Sequence, residues 1–264
     1  MLLLDRTARP IIAHRGDRAH APENTLIAFE RALAAGADAL ECDVHLTADG
    51  QVVVCHDPTV DRTTNGTGEI ARMPVAAIRA LNAGARWSPH ENPERANGGL
   101  RGGPTPFAFA GHRVPLLTEV LDAFPGTPII IELKSVAVAA PATEIVCARR
   151  AFGSILIASF MEAALPAPRA SGLATGASRD GLKRLFPAAL LRRRAGAPVE
   201  FNAIAMPPSQ HGIPMPIGGY VRAVDVPVHV WTVNDPDAAR RFWRRGVCGI
   251  ITDDPGAIVG ARIN

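Results

Sequence analysis

Short apolar runs alternate with longer stretches of helical periodicity from one end of this chain to the other. Runs at 11–14, 39–44, 52–56, 129–133, 155–159, 172–176, 201–205, 228–233 and 249–252 have the length and content of buried strands. Helical patterns lie between them at 25–35, 117–124, 140–151, 179–194, 236–245 and 255–261. Asp235 before Pro236 and Asp254 before Pro255 read as N-caps, each followed by proline at the first helical position. Repeated strand–helix alternation predicts an α/β fold, a TIM-type (β/α)8 barrel. A doubly wound open sheet competes, but it wants a glycine-rich phosphate turn after its first strand, and AHRGDRAHAPENT is not one. Residues 57–115 break the rhythm, apart from a helical stretch at 74–81. They read as an insertion after the His56 strand, lying over the barrel mouth, within a single domain spanning 1–264.

Residues 40–57, LECDVHLTADGQVVVCHD, are the most informative part of this pattern. Asp-Gly between two runs of β-branched residues predicts a hairpin. Pairing residue 46 with residue 51 sets Glu41 opposite His56. Period-two alternation then places Glu41, Asp43, Val54 and His56 on one face. Cys42 and Cys55 fall opposite each other on the other face, turned into packing against helices. Two acids side by side on an apolar strand have little structural use, so the hairpin is expected to build part of a site.

Composition narrows the options. With 264 residues and 47% hydrophobic content the chain has material for a large core. Net charge is +3, without the dense Lys/Arg stripe of a nucleic-acid binder, so no nucleic-acid partner is expected. The run Arg192–Arg194 and the group Arg240, Arg241, Arg244, Arg245 read as solvated helix faces, with contact to anionic lipid head groups as the alternative. Cysteines at 42, 55, 147 and 248 show no CxxC or metal spacing and read as buried thiols of a reducing compartment. The apolar start MLLL is too short for an export signal, and no run is long enough to span a bilayer. The expectation is a cytoplasmic protein without stable membrane insertion; the sequence does not give its oligomeric state.

In a barrel, polar residues at the carboxyl ends of strands reach the active-site face. His14 and Arg15 end the first strand, Glu41 and Asp43 the second, and Glu132 and Lys134 the strand PIIIELK, with His56 returned by the hairpin. Three carboxylates without a cysteine cluster suit one hard divalent cation, Mg²⁺ or Ca²⁺, with Mn²⁺ also acceptable. Two imidazoles suit acid–base work near neutral pH, and Arg15 and Lys134 favour a phosphate. Together they point to phosphoryl transfer from a phosphodiester. A sugar hydrolase would use two carboxylates and no metal, and a metal-dependent lyase fits the Arg/Lys placement less well.

The motifs HRG (14–16), PENT (22–25), ECDVHLTADG (41–50), VVCHD (53–57), RTTNGTG (62–68), RVPLLTEVLDAF (113–124), IELK (131–134), SF (159–160), VWTVN (230–234) and GIITDDP (249–255) resemble, in order, the glycerophosphodiester phosphodiesterase family. The resemblance implies a TIM-type barrel and hydrolysis of a small-molecule glycerophosphodiester, such as glycerophosphocholine or glycerophosphoethanolamine, to sn-glycerol 3-phosphate and an alcohol. It implies Glu41, Asp43 and Glu132 as metal ligands, His14 and His56 as the acid–base pair, and Arg15 and Lys134 as phosphate contacts. Trp231 matches an aromatic at the pocket wall, and Glu23 and Asn24 match residues bracing the first βα loop. The loop from 88 to 111 is longer than the resemblance implies, which bears on substrate size and alcohol preference. Two rivals remain: a lysophospholipase D with an apolar groove formed by Leu100, Phe107 and Phe109, and a non-catalytic phosphate- or lipid-binding barrel.

Overall fold

The structure, a computed structural model, describes residues 1–88 and 111–262. Its strands among these residues are β1 (Ile11–His14), β2 (Ala39–Leu46), β3 (Val52–Val54), β4 (Ile129–Leu133), β5 (Ile155–Ala158), β6 (Ala174–Thr175), β7 (Ile204–Met206), β8 (Ser209–Gln210), β9 (Ile213–Pro214), β10 (Val228–Val230) and β11 (Gly249–Thr252). Eight of them pair in parallel in the order β6-β5-β4-β2-β1-β11-β10-β7. A parallel bridge between Gly176 and Ala203 joins the two ends, so the sheet closes into a TIM-type barrel and an open doubly wound sheet is excluded. The helices are α1 (Leu26–Ala34), α2 (Val75–Arg79), α3 (Leu117–Ala123), α4 (Ala139–Ala148), α5 (Pro166–Ala170), α6 (Arg179–Leu190), α7 (Ile217–Ala223), α8 (Pro236–Arg244) and α9 (Pro255–Val259). Asp235 and Asp254 cap α8 and α9 through bonds from the Asp237 and Ala257 amides, with proline at the first helical position.

Alternation along the strands sorts the side chains into layers. Ile12, Ala39, Ile130, Leu156, Ala203 and Ile251 form one buried layer inside the barrel. Leu3, fully buried in the Leu2–Leu4 turn, packs against that layer, which accounts for the apolar start of the chain. Two residues further along the same strand faces stand His14, Glu41, Glu132 and Asp253. The interior therefore changes from apolar to polar toward the carboxyl ends of the strands. The outer faces pack in two groups. Leu40, Cys42, Val44, Ile129, Ile131 and Ile157 meet α1, α3 and α4, and Ile204, Val228, Val230 and Ile250 meet α6, α7 and α8. The sequence pattern missed α7, whose Gly218-Gly219 pair reads as a loop. A Cβ at Gly219 would stand 1.9 Å from the Ala189 carbonyl, so the glycine is what lets α6 and α7 approach.

The hairpin register differs from the expectation by one residue. Leu46 pairs with Val52, His45 with Val53 and Val44 with Val54. The loop holds five residues, 47–51, because Thr47 closes it twice: its amide donates to the Gln51 carbonyl, and its hydroxyl accepts from the Gln51 amide. A one-residue slip moves side chains to the other face. Val54 accordingly packs with Cys42 and Val44 against the helices, not beside Glu41 and Asp43. Cys55, opposite Asp43, enters a separate cluster with Val53, Val60, Ile70, Ile78, Ala83 and Val114, drawn mostly from the irregular segment. Cys42 and Cys55 do not face each other, and both are free thiols.

At the closed end of the barrel His229 on β10 is fully buried. Its Nε2 donates to the Leu3 carbonyl at 3.0 Å, leaving Nδ1 without a partner. Gly249 pairs with it on β11, and a Cβ there would lie 2.3 Å from that Nδ1. Burial pulls the His229 pKa from 6.5 to about 4. The unfolded chain therefore binds a proton that the folded state refuses. The contribution of His229 to stability should be full above about pH 6.5 and fall by roughly 3 kcal/mol as pH drops to about 4. Urea unfolding across that window checks it, with a shallower fall expected in a His229→Gln variant.

Candidate active site

At the carboxyl end of the barrel lies an open cavity. His14, Arg15, Glu41, His56, Glu132 and Lys134 line its polar side, and Leu156, Ala158, Phe160 and Trp231 are among its apolar lining. Parallel pairing sets His14 beside Glu41, and Asp43 beside Glu132. Alternation brings Glu41 and Asp43 inward together, as the sequence suggested. His56 arrives differently: the last ladder bond runs from the Cys55 amide to the Asp43 carbonyl, and the chain bends there, carrying His56 to the cavity.

The turn after β1 explains the HRG sequence. Arg15 and Gly16 both take left-handed backbone, φ +58° and +85°. A Cβ on Gly16 would be 2.6 Å from the Ala28 carbonyl carbon, so only glycine lets the turn sit against α1. This turn directs the Arg15 amide to Glu41 Oε2 at 3.0 Å and the Arg15 guanidinium toward Asp43, Nε to Oδ2 3.2 Å. Asn24, also left-handed at φ +57°, donates from Nδ2 to Asp43 Oδ2 at 2.9 Å. Lys134 Nζ sits between Asp43 Oδ1 at 2.8 Å and Glu132 Oε1 at 2.7 Å.

Carboxylate oxygens of Glu41, Asp43 and Glu132 lie within 4.8 Å of one another, an acidic cluster able to hold a metal ion. Burial and the charges of Asp43 and Glu132 push the Glu41 carboxyl well above its ordinary range. Burial and Asp43 likewise raise Glu132, against the pull of Lys134. Asp43 runs the other way: burial opposes its charge, but Arg15 and Lys134 outweigh burial and lower its pKa. The donors fit a hard divalent cation, being three oxygen ligands whose mutual repulsion a cation would relieve.

Each histidine carries a carboxylate on Nδ1. His14 Nδ1 is 2.7 Å from Asp253 Oδ1, and His56 Nδ1 is 2.7 Å from Asp57 Oδ1. Burial lowers both imidazole pKa values, with the adjacent carboxylates opposing it. Asn234 braces Asp253, donating from Nδ2 to Oδ2 at 3.1 Å and accepting from the Asp253 amide at 2.8 Å. Sequence reasoning assigned no role to Asp57, Asp253, Asn234, Arg18 or Arg62. Asp57, Asp253 and Asn234 stand in the motifs HD, TDDP and VWTVN, which was the available signal. Leu100, Phe107 and Phe109, named for an apolar groove, lie outside the described residues.

The model of the glycerophosphoryl diester phosphodiesterase family matches residues 14–159 and 207–257. A glycerophosphodiester phosphodiesterase of Caldanaerobacter subterraneus subsp. tengcongensis is 33% identical over 94% of this chain and 96% of its own. The crystal structure of a glycerophosphodiester phosphodiesterase from Agrobacterium tumefaciens is 28% identical, with a TM-score of 0.72 over 96% of this chain and 100% of that one. An Oleispira antarctica phosphodiesterase, solved in complex with the product sn-glycerol-3-phosphate, shares the fold at 24% identity, with a TM-score of 0.72 over 96% of each chain.

Removing one carboxylate should weaken cation binding. Glu41→Gln is expected to reduce Mg²⁺ or Ca²⁺ affinity in titration calorimetry by no less than the roughly tenfold typical of losing an outer-shell partner. Equal affinity in variant and wild type would take Glu41 out of the ligand set.

Proposed function

Because this chain belongs to the glycerophosphoryl diester phosphodiesterase family, whose members are phosphoric diester hydrolases, we propose that it hydrolyses small glycerophosphodiesters, such as glycerophosphocholine or glycerophosphoethanolamine, to sn-glycerol 3-phosphate and an alcohol. The observation that carries this reading is a cavity lined by two histidines, Arg15, Lys134, Glu41 and Glu132, with Asp43 buried beside them in the acidic cluster. The product bound to the Oleispira antarctica relative supports the choice of products.

In this reading the phosphate enters with its charged oxygens toward Arg15 and Lys134. Glu41, Asp43 and Glu132 would hold one divalent cation, Mg²⁺ or Ca²⁺, which supplies Lewis-acid charge at the phosphoryl oxygens. With Nδ1 engaged by a carboxylate, Nε2 is the working nitrogen of each histidine. One Nε2 takes the proton from the attacking oxygen, either water or the neighbouring glycerol hydroxyl; attack by the hydroxyl gives a cyclic phosphate that water opens in a second step to sn-glycerol 3-phosphate. The other gives a proton to the departing alkoxide. The apolar wall of Leu156, Ala158, Phe160 and Trp231 faces the carbon skeleton of the substrate. Among the described residues no helix is long and apolar enough to cross a membrane. We place the enzyme in the cytoplasm on the strength of its four free cysteines.

His14→Ala and His56→Ala should each fold and lose turnover by about 10²–10⁴-fold; wild-type-like turnover in either would end the acid–base assignment. Substrate class is read by coupled detection of glycerol 3-phosphate across a panel of glycerophosphodiesters with each metal. Free choline should appear from glycerophosphocholine and not from lysophosphatidylcholine. The reverse preference would favour a lysophospholipase D.

A further inference from the structure

The two histidines sit on opposite sides of a chain of alternating charges. On one side His56 meets Asp57, and Asp57 is held by Arg62, Nε to Oδ2 2.7 Å and Nη2 to Oδ1 3.2 Å. Arg62 then grips Glu23 in a fork, Nη2 to Oε1 2.6 Å and Nη1 to Oε2 3.0 Å. On the other side Glu23 Oε2 faces Arg18 Nη2 at 3.3 Å, and Arg18 Nη1 reaches Asp253 Oδ1 at 3.4 Å. Asp253 closes the chain on His14 at 2.7 Å. Glu23 also accepts from Arg15 Nη1 at 3.0 Å. One carboxylate, with its side chain 8% exposed, is thus shared by three guanidinium groups.

This arrangement exceeds what bracing a loop needs. Arg62 comes from the irregular segment, Arg15 and Arg18 from the turn after β1, and Asp253 from the end of β11. Their meeting point is Glu23. Ionised carboxylates accept hydrogen bonds only, so an imidazole nitrogen paired with Asp57 or Asp253 must carry the hydrogen. Each histidine is thereby fixed as the Nδ1–H tautomer, with Nε2 left for the ligand in the cavity. The two sides differ in tightness. Asp57 depends on Arg62, whereas Asp253 has Asn234 as well and meets Arg18 only loosely.

We propose that Asp57 and Asp253 are positioning residues that hold His56 and His14 as Nδ1–H tautomers, and that Glu23 locks both Asp–His pairs and Arg15 into one frame through Arg62 and Arg18. The functional part of this assignment rests on the phosphodiesterase reading above. The tautomers and their dependence on Glu23 do not.

The test is two-bond ¹H–¹⁵N correlation of the imidazole nitrogens at alkaline pH, where both rings are neutral, in the wild type and in Asp57→Asn, Asp253→Asn and Glu23→Gln. The wild type should show Nδ1–H for both rings. Asp57→Asn should alter only His56, and Asp253→Asn only His14. Glu23→Gln should mix the tautomers of His56 while His14, still braced by Asn234, moves less. Each Asp variant should lower kcat roughly 10–100-fold with little change in KM. Glu23→Gln should also raise KM, because Arg15 loses one of its two carboxylate partners and keeps only Asp43. Nε2–H for either ring in the wild type overturns the proposal even where a variant does not fold. So do unchanged imidazole signals in Glu23→Gln. Correct tautomers in a protein that hydrolyses no glycerophosphodiester would sink the phosphodiesterase reading and leave the positioning frame intact.

Discussion

Three carboxylates gathered inside a protein repel one another and resist ionising, and the mouth of this barrel is organised around that cost. Glu41, Asp43 and Glu132 share one small volume. Arg15 and Lys134 offset it from within, Lys134 by bridging two of the three and Arg15 by presenting its amide to one and its guanidinium to another. Asn24 adds a neutral donor to Asp43, the most deeply buried of the acids. The remaining imbalance falls on Glu41 and Glu132: burial and the neighbouring carboxylates push both carboxyls upward, Glu41 well above its ordinary range, against the pull of Arg15 and Lys134. Such a cluster is better suited to receiving a divalent cation and an anionic substrate than to supporting the fold.

The barrel makes this possible by separating two tasks along the same strands. Four of the inward faces begin apolar and end polar: Ile12 then His14, Ala39 then Glu41 and Asp43, Ile130 then Glu132, Ile251 then Asp253. The apolar layer, closed by Leu3, provides packing, and the polar layer above it provides chemistry. Helices cover only the outward faces, so the inward His14, Glu41, Asp43 and Glu132 of the candidate site are carried by strands whose positions are set by the parallel ladder.

Alternating charge continues the same logic outward. Glu23 gathers three arginines and, through two of them, reaches the carboxylates that orient the histidines. Groups distant in sequence are set relative to one another by this network as well as by the backbone, which matters where a proton must be exchanged at a defined atom.

By itself the sequence determined the barrel, because strand–helix alternation is a local pattern. It also brought His14, Arg15, Glu41, Asp43, Glu132 and Lys134 to one end of the barrel, because alternation on one strand and strand-end position need no knowledge of distant contacts. It misjudged the hairpin register by one residue, since Thr47 lengthens the loop through bonds that composition does not display. His56 therefore reaches the cavity by leaving the strand, not by alternation along it. Only the tertiary structure decided the partners of the histidines and the place of Glu23. Asp253 and His14 are 239 residues apart, and Arg62 and Glu23 are 39 apart, so their pairing exists only once the barrel has closed. An acid in a loop motif looks the same whether it caps a turn or joins three arginines; the difference lies in which elements the fold brings to it.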